Sequence, residues 1–346
     1  MRPLPNNQEK GFSMYSSEII GCGMYVPENI VTNHDLSKLM ETSHDWIVQR
    51  SGIEERRWVS AETSTSDLAL KACEEAIKNA GIDKSEIDCL LFATISPDHD
   101  FPGNACFLQP KLGLTEIPAI DVRQQCSGFL YGMSMADAFI KSGQYRTILL
   151  VGAEVHSKGL DKSTKGRDVA VLFGDGAGAV VIRRAENSTS KILSTHLFAE
   201  GVHAKELWAA APGSGLGSDE RINHQHIEQG LQYPSMNGKR VFANAVRRMC
   251  ECLMLALETN KLKLEDIDLF LFHQANLRIN QMLAQELKIP EEKIFNTIMK
   301  YGNTTAATIP IGMSDAVKAG KLKKGHLVAS AAFGSGFTWA SSIYRW

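Results

Sequence analysis

The first half of the chain alternates between helix-like and strand-like runs of apolar residues. Between 66 and 81 the apolar positions recur at helical spacing, so we predict a helix that Ser66 caps and Gly81 ends. Two short, largely apolar runs follow, IDCLLFA at 87–93 and TILLVG at 147–152. Runs of this length between turn residues are typical of strands that are buried on both faces. Helices that alternate with such strands predict an α/β fold.

The second half repeats this order of elements. A helical run from about 240 to 260 precedes the strand-like IDLFLFH at 267–273. This run matches IDCLLFA and places Ala93 and His273 at equivalent strand ends. The sequence therefore predicts two copies of a βα unit.

A second set of spacings extends the repeat. Cys126 lies seventeen residues before a glycine, as does Asn303, and we expect the next strands to end near 151 and 328. Cys126 and Asn303 are therefore predicted at equivalent strand-to-helix junctions. We predict an N-terminal half at 18–187 and a C-terminal half at 188–346. The join is expected in the polar run near 185–190.

Composition narrows the class of protein. The chain has 346 residues, 44% hydrophobic and 22% charged, with a formal net charge of −2. This balance argues against a dedicated nucleic-acid-binding protein, which would carry a basic excess. No apolar run approaches the ~20 residues of a membrane span, and residues 1–18 lack the apolar core of a signal peptide. We therefore expect a cytoplasmic protein without a membrane segment, beginning with a disordered tail at 1–17.

The cysteines point to one reactive side chain. The seven cysteines form no CxxC pair, which argues against a structural zinc site or a disulfide framework. Cys126 stands where a strand ends and a helix apolar on almost all sides begins. The positive end of that helix is expected to lower the pKa of the thiol and to favour a nucleophilic thiolate. A cysteine packed in the core is the alternative.

A histidine and an asparagine occupy comparable places. His273 ends an apolar strand, at the edge where α/β folds form their ligand crevices, and is suited to act as acid or base. An interior histidine bonded to backbone is its alternative, and a helix cap is the alternative for Asn303. Pro310 predicts a late or irregular helix start after Asn303. We reject a papain-like protease, because the catalytic cysteine of those enzymes lies near the mature N-terminus of a secreted chain, whereas the cysteine here is residue 126 of a duplicated α/β chain.

Three glycine-rich stretches remain. The runs at 173–179 and 212–217 do not match GxGxxG between a strand and a helix, so they are weak evidence for a dinucleotide site. The run at 332–337 follows a strand, and its backbone N–H groups are candidates for holding an oxyanion. A plain turn is the alternative for each stretch.

Taken together, these segments resemble the β-ketoacyl-acyl carrier protein synthase III family of the thiolase superfamily. The motifs that carry the resemblance span almost the whole chain after the tail. They are DWIVQRSGI (45–53), FP (101–102), CSGF (126–129), FGDGAGA (173–179), HQANLR (273–278), GNT (302–304) and FGSGFTW (333–339).

The resemblance implies a five-layered α-β-α-β-α thiolase-like fold of two similar halves. It implies a catalytic triad of Cys126, His273 and Asn303, with the oxyanion held by the backbone N–H groups of Cys126 and Ser335. No metal or redox cofactor is implied. The substrates would be an acyl-CoA and malonyl-acyl carrier protein, and the product a β-ketoacyl-acyl carrier protein that initiates fatty acid synthesis.

The resemblance also assigns binding residues and an assembly. Each of the following residues matches a binding or interface position of the family or adjoins one. For coenzyme A they are Trp46 and Arg167, which would hold the adenine between them, with Arg50 and Ser51 nearby. Asn276 would support the active site, and Arg278 would contact the carrier protein. Phe101 would reach across a homodimer interface into the partner's acyl pocket, and Gln125 would lie beside the acyl pocket. Arg247 and Arg248 are further candidates for meeting an acidic carrier protein, with a solvated helix face as the alternative.

Three departures from the family pattern bear on the acyl chain that is accepted. They are the residues Arg123, Gln124 and Gln125 before the nucleophile, Ser335 in place of a glycine, and a long loop at about 209–238. Two other functions remain open. One is a related acyltransferase or head-to-head condensing enzyme of secondary metabolism, and the other is a non-catalytic partner subunit.

Overall fold

A computed structural model of the protein describes residues 15–186 and 188–346. Within these ranges the chain forms strands and helices in alternation. The strands are β1 Ser17–Tyr25, β2 Ile30–Thr32, β3 Glu55–Arg57, β4 Cys89–Ala93, β5 Ala119–Val122, β6 Thr147–Glu154, β7 Gly176–Arg184, β8 Lys191–Ala199, β9 Leu207–Trp208, β10 Ser235–Met236, β11 Leu269–Phe272, β12 Leu327–Gly334 and β13 Thr338–Arg345. The helices are α1 Asn33–Leu36, α2 His44–Ser51, α3 Thr65–Ala80, α4 Asn104–Lys111, α5 Gly128–Lys141, α6 Arg167–Ala170, α7 His224–Glu228, α8 Gly238–Thr259, α9 Leu277–Leu287, α10 Ile298–Tyr301 and α11 Thr308–Lys318.

Two mixed sheets form the frame of the fold. The first has the order β1-β7-β6-β4-β5, in which β4 is parallel to both β5 and β6, and β7 is antiparallel to β6 and β1. The second has the order β11-β12-β13-β8, in which β11 and β12 are parallel and the remaining pairs antiparallel. Each sheet keeps to its own stretch of sequence, residues 17–184 for the first and 191–345 for the second.

Successive residues of the strands point to opposite faces of each sheet, and helices pack against both faces. Leu91 of β4 joins a core with Phe129 of α5 and Ile309 of α11, so these two helices lie between the sheets. The neighbouring positions of β4 face outward and pack against α3 and α4, while α8 and α9 cover the outer face of the second sheet. The resulting order of layers is α-β-α-β-α, which confirms the predicted fold class.

The predicted helix at 66–81 is present with one correction. It spans Thr65–Ala80, and Gly81 ends it in the left-handed conformation at φ 65°, as predicted. Its N-cap is Ser64 rather than Ser66, because Ser64 and Asp67 form a reciprocal capping box. Ser66 instead lies in the first turn of the helix, where its hydroxyl donates to the carboxylate of Asp98.

The predicted tail and join lie partly outside the described residues. Residues 1–14 of the predicted tail at 1–17 lie outside the described residues. The prediction is wrong for Ser17, which is not part of a tail but the fully buried first residue of β1. At the join, β7 ends at Arg184 and β8 begins at Lys191, and position 187 lies outside the described residues. The division at 187 and 188 stays a prediction.

The elements of the N-terminal half align with those of the C-terminal half in a slightly different register from the predicted one. β4 and β11 begin at Cys89 and Leu269, and the turns before α5 and α11 begin at Gln125 and Thr305. In this register Cys126 matches Ala306 rather than Asn303. The prediction followed the glycines after the helices, but α5 has 14 residues and α11 only 11. β12 accordingly begins near 328 instead of ending there.

Candidate active site

Cys126 lies in a 3-10 turn, Gln125–Ser127, between the end of β5 and the start of α5. The turn is entered through Gln125, whose φ of 46° is unusual for a residue with a side chain. Gly334, the last residue of β12, packs directly against the nucleophile: a Cβ atom on Gly334 would lie 2.9 Å from the Cβ of Cys126 and 3.0 Å from its backbone nitrogen. The second sheet therefore fixes where the thiol stands.

The expectation of a lowered pKa for Cys126 is wrong. Burial, together with the nearby carboxyl group of Glu154, raises the pKa of the thiol to about 12, while contact with Thr305 opposes the rise. The regular helix begins only at Gly128, so Cys126 lies before its first turn. Desolvation of the charged form thus outweighs the helix N-terminus, and the resting side chain is a neutral thiol.

His273 follows directly after β11 and is held on two sides. Its backbone N–H donates to Ala331 at 2.9 Å, and its Nδ1 lies 2.7 Å from the hydroxyl of Thr308. Nε2 is buried and has no hydrogen-bond partner among the described residues. Burial lowers the pKa of the imidazole to about 3, so the ring is neutral at physiological pH. A neutral ring with one free nitrogen is suited to hydrogen-bond a substrate.

Asn303 is fixed by both its backbone and its side chain. Its N–H donates to Leu172 at 2.8 Å, and its carbonyl accepts from Gly174 at 3.1 Å. The side-chain Oδ1 accepts from the N–H of Thr305 at 2.8 Å, which leaves the Nδ2 amide as the group to meet a ligand. The late helix start is confirmed: a 3-10 turn at Thr305–Ala307 precedes α11, with Pro310 in its first turn.

These three side chains line one cavity of about 130 Å³. Most of the wall is apolar, and α8 contributes more lining residues than any other element, which gives the cavity an apolar body with a few polar groups, as ligand sites commonly have. The polar lining comes from Cys126, His273, Asn303 and Asn276, and Gly334 also lines the cavity. The cavity therefore brings a thiol, an imidazole and two carboxamides together.

The residues predicted around coenzyme A lie on α2 and α6. The guanidinium carbons of Arg50 and Arg167 lie 4.2 and 5.0 Å from the centre of the Trp46 ring. A planar base between Trp46 and Arg167 would need about 7 Å, twice a van der Waals contact, so Arg167 must swing outward to admit one. Ser51 is buried, and its hydroxyl donates to Ile47 and accepts from Ile53, so it supports α2 rather than facing a ligand.

Asn276 links that region to the cavity. Its Oδ1 caps α9 by accepting from the N–H of Arg278, and its Nδ2 donates to the carbonyl of Arg50 at 2.9 Å. It therefore holds the end of α2 against the wall of the cavity. This geometry suits a supporting role for Asn276.

The three arginines predicted at a carrier-protein surface differ in their surroundings. Arg278 and Arg247 are exposed, and among the described residues the side chain of Arg247 donates only to Asn244. Arg248 is half-buried, pairs with Glu200 at 2.6 Å and Glu251 at 2.9 Å, and stacks on an aromatic ring. Arg248 is thus committed to contacts within the chain, whereas Arg247 and Arg278 are free to meet a partner.

Three further predicted residues lie outside the lining of the cavity. Phe101 projects from the surface with 81% of its area exposed. Gln125 turns its side chain back to the carbonyl of Arg123 at 3.2 Å. Ser335 directly follows Gly334, and its hydroxyl donates to the carbonyl of Leu207.

Sequence reasoning missed Glu154 and Thr308. Glu154 is fully buried at the end of β6, beside Cys126, where its carboxyl group accepts hydrogen bonds from residues 94–96. The sequence did contain a signal for Glu154, since a lone acid ends the largely apolar strand β6 much as His273 follows β11. Thr308 gave no such signal, because its contact with His273 spans 35 residues.

Two family models match separate stretches of the chain. Residues 120–201 match the family described as 3-oxoacyl-[acyl-carrier-protein (ACP)] synthase III, and residues 257–346 match its C-terminal family. No helix among the described residues is both long and apolar enough to cross a bilayer.

Similar proteins cover nearly the whole chain. The chain is 44% identical over 328 residues to the β-ketoacyl-[acyl-carrier-protein] synthase III of Geobacillus kaustophilus, covering 95% of this chain and 98% of that one. It is 41% identical over 328 residues to that of Caldanaerobacter subterraneus, covering 95% and 97%. The crystal structure of the Aquifex aeolicus synthase superposes with a TM-score of 0.86 at 41% identity, covering 95% and 100%. The chain belongs to the β-ketoacyl-acyl carrier protein synthase III family of condensing enzymes.

Proposed function

We propose that the protein condenses an acyl-CoA starter with malonyl-acyl carrier protein and so initiates fatty acid synthesis. The observation that carries this proposal is the cavity at which Cys126, the free Nε2 of His273 and the free Nδ2 of Asn303 meet. A thiol can hold an acyl group covalently, and two neutral side chains can stabilise a developing negative charge beside it.

Acylation comes first. Sγ of Cys126 attacks the thioester carbon of the acyl-CoA, the bond from that carbon to the coenzyme A sulfur breaks, and the thiol proton passes to the departing sulfur. Backbone N–H groups of Cys126 and Ser335 hold the oxyanion of the tetrahedral intermediate. The close packing of Gly334 against Cys126 supports this pairing, because it brings the backbone of the last loop to the nucleophile.

Decarboxylation and condensation follow. The malonyl carboxylate leaves as CO₂, and its electron pair forms an enolate whose oxygen accepts hydrogen bonds from Nε2 of His273 and Nδ2 of Asn303. The enolate carbon attacks the acyl group, the bond to Sγ breaks, and the thiolate of Cys126 takes a proton from solvent. The product is a β-ketoacyl-acyl carrier protein.

Both substrates would approach the cavity from the surface near α2 and α9. Trp46, Arg50 and Arg167 supply one aromatic and two cationic groups for coenzyme A, with Asn276 tying α2 to the cavity wall. The exposed Arg278 and Arg247 would meet the acidic carrier protein. Mutating either arginine to glutamate should raise KM for malonyl-acyl carrier protein, with KM for acyl-CoA unchanged.

We also propose a homodimer in the cytoplasm, with the two halves joined near 187. Phe101 supports the dimer, since an aromatic ring with 81% of its area exposed would be covered by a partner subunit. Sedimentation at micromolar concentration should give the dimer mass. Phe101→Ala should change the preferred acyl chain length more than stability, and a monomeric wild-type protein would contradict this role.

Separating the half-reactions tests the function. Cys126→Ala should form no acyl adduct by mass spectrometry after exposure to an acyl-CoA mixture, yet retain slow release of CO₂. His273→Ala and Asn303→Ala should still form the adduct, while decarboxylation falls by ~10²–10³ for each lost donor. Cys106→Ala is the matched control, because Cys106 is exposed and should leave both half-reactions unchanged. Normal condensation by Asn303→Ala would refute its role.

A condensation with another acceptor is the alternative activity. The acyl adduct on Cys126 would then form as before but would be discharged by a second acyl-CoA instead of malonyl-acyl carrier protein. Offering the isolated acyl-enzyme each acceptor in turn distinguishes the two. If no acyl-CoA labels Cys126, the remaining hypothesis is that the protein is a non-catalytic partner subunit.

A further inference from the structure

The hydroxyl of Thr308 lies between a catalytic side chain and a backbone carbonyl. Its Oγ1 is 2.7 Å from Nδ1 of His273 and 3.0 Å from the carbonyl oxygen of Thr305. Thr308 is buried at the first residue of α11, with 2% of its area exposed. The group that holds the ring of His273 in place is therefore this hydroxyl.

A hydroxyl has one hydrogen, and its direction decides the tautomer of a neutral imidazole. If the hydrogen points to the carbonyl of Thr305, Oγ1 must accept from Nδ1–H, and Nε2 faces the cavity as a bare acceptor. If it points to Nδ1, the ring proton resides on Nε2, which then faces the cavity as a donor. Only the second arrangement can stabilise an enolate oxygen.

The hydroxyl of Thr308 can donate to the carbonyl of Thr305 at 3.0 Å, but this carbonyl does not require that hydrogen. It already accepts the backbone N–H of Thr308, so turning the hydroxyl to the ring leaves no buried carbonyl unsatisfied. The same turn orients Asn303, because the N–H of Thr305 binds Oδ1 and leaves Nδ2 as a donor. Thr305 is held at a φ of 49°, a conformation that is strained for a β-branched residue and typical of functional sites.

We propose that Thr308 is a positioning residue whose hydroxyl donates to Nδ1 of His273 and thereby keeps the ring proton on Nε2. The cavity then presents two donors, Nε2–H of His273 and Nδ2–H of Asn303, to the malonyl thioester oxygen. This inference rests on the proposed function, since it assigns the donor that decarboxylation uses. The lowered pKa of His273 agrees with it, because a neutral ring must choose between the two tautomers.

Two substitutions at this position test the inference. Thr308→Val keeps the shape of the side chain and removes the hydroxyl, whereas Thr308→Ser keeps the hydroxyl. We expect Thr308→Val to lower the rate of CO₂ release from malonyl-acyl carrier protein by up to ~10²-fold, the cost of one oxyanion donor. Its rate of acyl-adduct formation should stay within about threefold of wild type, since Cys126 needs no donor from His273. Thr308→Ser should restore decarboxylation.

A spectroscopic readout separates tautomer from packing. In protein labelled with ¹⁵N-histidine, the His273 signals are assigned by their loss in His273→Gln, and wild type should show a protonated, pyrrole-type Nε2. Thr308→Val should shift population toward a pyridine-type Nε2, with an unchanged thermal unfolding curve. A pyridine-type Nε2 in wild type, or wild-type decarboxylation by Thr308→Val, would overturn the inference. Failure of the proposed function looks different, because wild type itself would then neither acylate Cys126 nor release CO₂.

Discussion

Replacing Gly334 with alanine tests whether β12 sets the position of the nucleophile. The added Cβ would lie 2.9 Å from the Cβ of Cys126 and 3.0 Å from its nitrogen, whereas carbon atoms in contact stand about 3.5–4.0 Å apart. Relief of the clash requires a shift of about 0.6–1.1 Å in one of the two backbones. Misplacing a reacting group by that distance can cost ~10²-fold in rate, and overpacking typically costs 1–3 kcal/mol of stability.

The two effects are measured separately. Acyl-adduct formation on Cys126, followed by mass spectrometry, should slow by about 10²-fold in Gly334→Ala. Urea unfolding should show a loss of about 1–3 kcal/mol. Gly201→Ala is the control, since a Cβ there has no atom within 4 Å and should change neither quantity. Wild-type acylation by Gly334→Ala would show that β12 does not position Cys126.

Three further predictions follow from buried or capping groups. Because the pKa of Cys126 is raised to about 12, its alkylation by iodoacetamide should rise about tenfold per pH unit from pH 7 to 9, with the exposed Cys106 as internal reference; a plateau below pH 9 would contradict this. Arg56→Met should lower the free energy of unfolding, measured in urea, by about 1–3 kcal/mol for each buried acceptor left without a donor, since this fully buried guanidinium donates to two backbone carbonyls and one side-chain amide oxygen. Ser64→Ala should cost about 1 kcal/mol in the same assay through loss of the α3 cap, and Ser64→Gly only a few tenths.

The sequence carried the information that defines elements and their ends. Cys126 and His273 each come shortly after a strand end, and the convergence of such ends at one edge of a sheet is a general property of α/β folds, whereas Asn303 lies between α10 and the turn before α11. The same reasoning misplaced one cap, because Ser64 and Ser66 are equally good capping residues and only the position of Asp67 favours the first. It also misjudged the register of the repeat, because α11 is three residues shorter than α5. The position of the glycine after each helix does not reveal this difference in length.

What the sequence did not reveal depends on contacts between distant residues. The raised pKa of Cys126 comes from burial, a property of the assembled layers rather than of the helix that follows it. The packing of Gly334 on Cys126 and the hydrogen bond between Thr308 and His273 join segments that share no local pattern. Such contacts set the electrostatics and the geometry of the site, whereas local patterns set only which side chains reach it.

The pairing of β8 with β13 has a consequence for synthesis on the ribosome. Ala199 pairs with Thr338, and β13 stands between β12 and β8 inside the second sheet. At roughly 5–20 residues per second, the intervening ~140 residues take on the order of 10 s to make. Throughout that interval β8 has no neighbour in its sheet, and its open backbone invites pairing with other nascent chains. Molecular chaperones therefore have a defined window and a defined strand to protect.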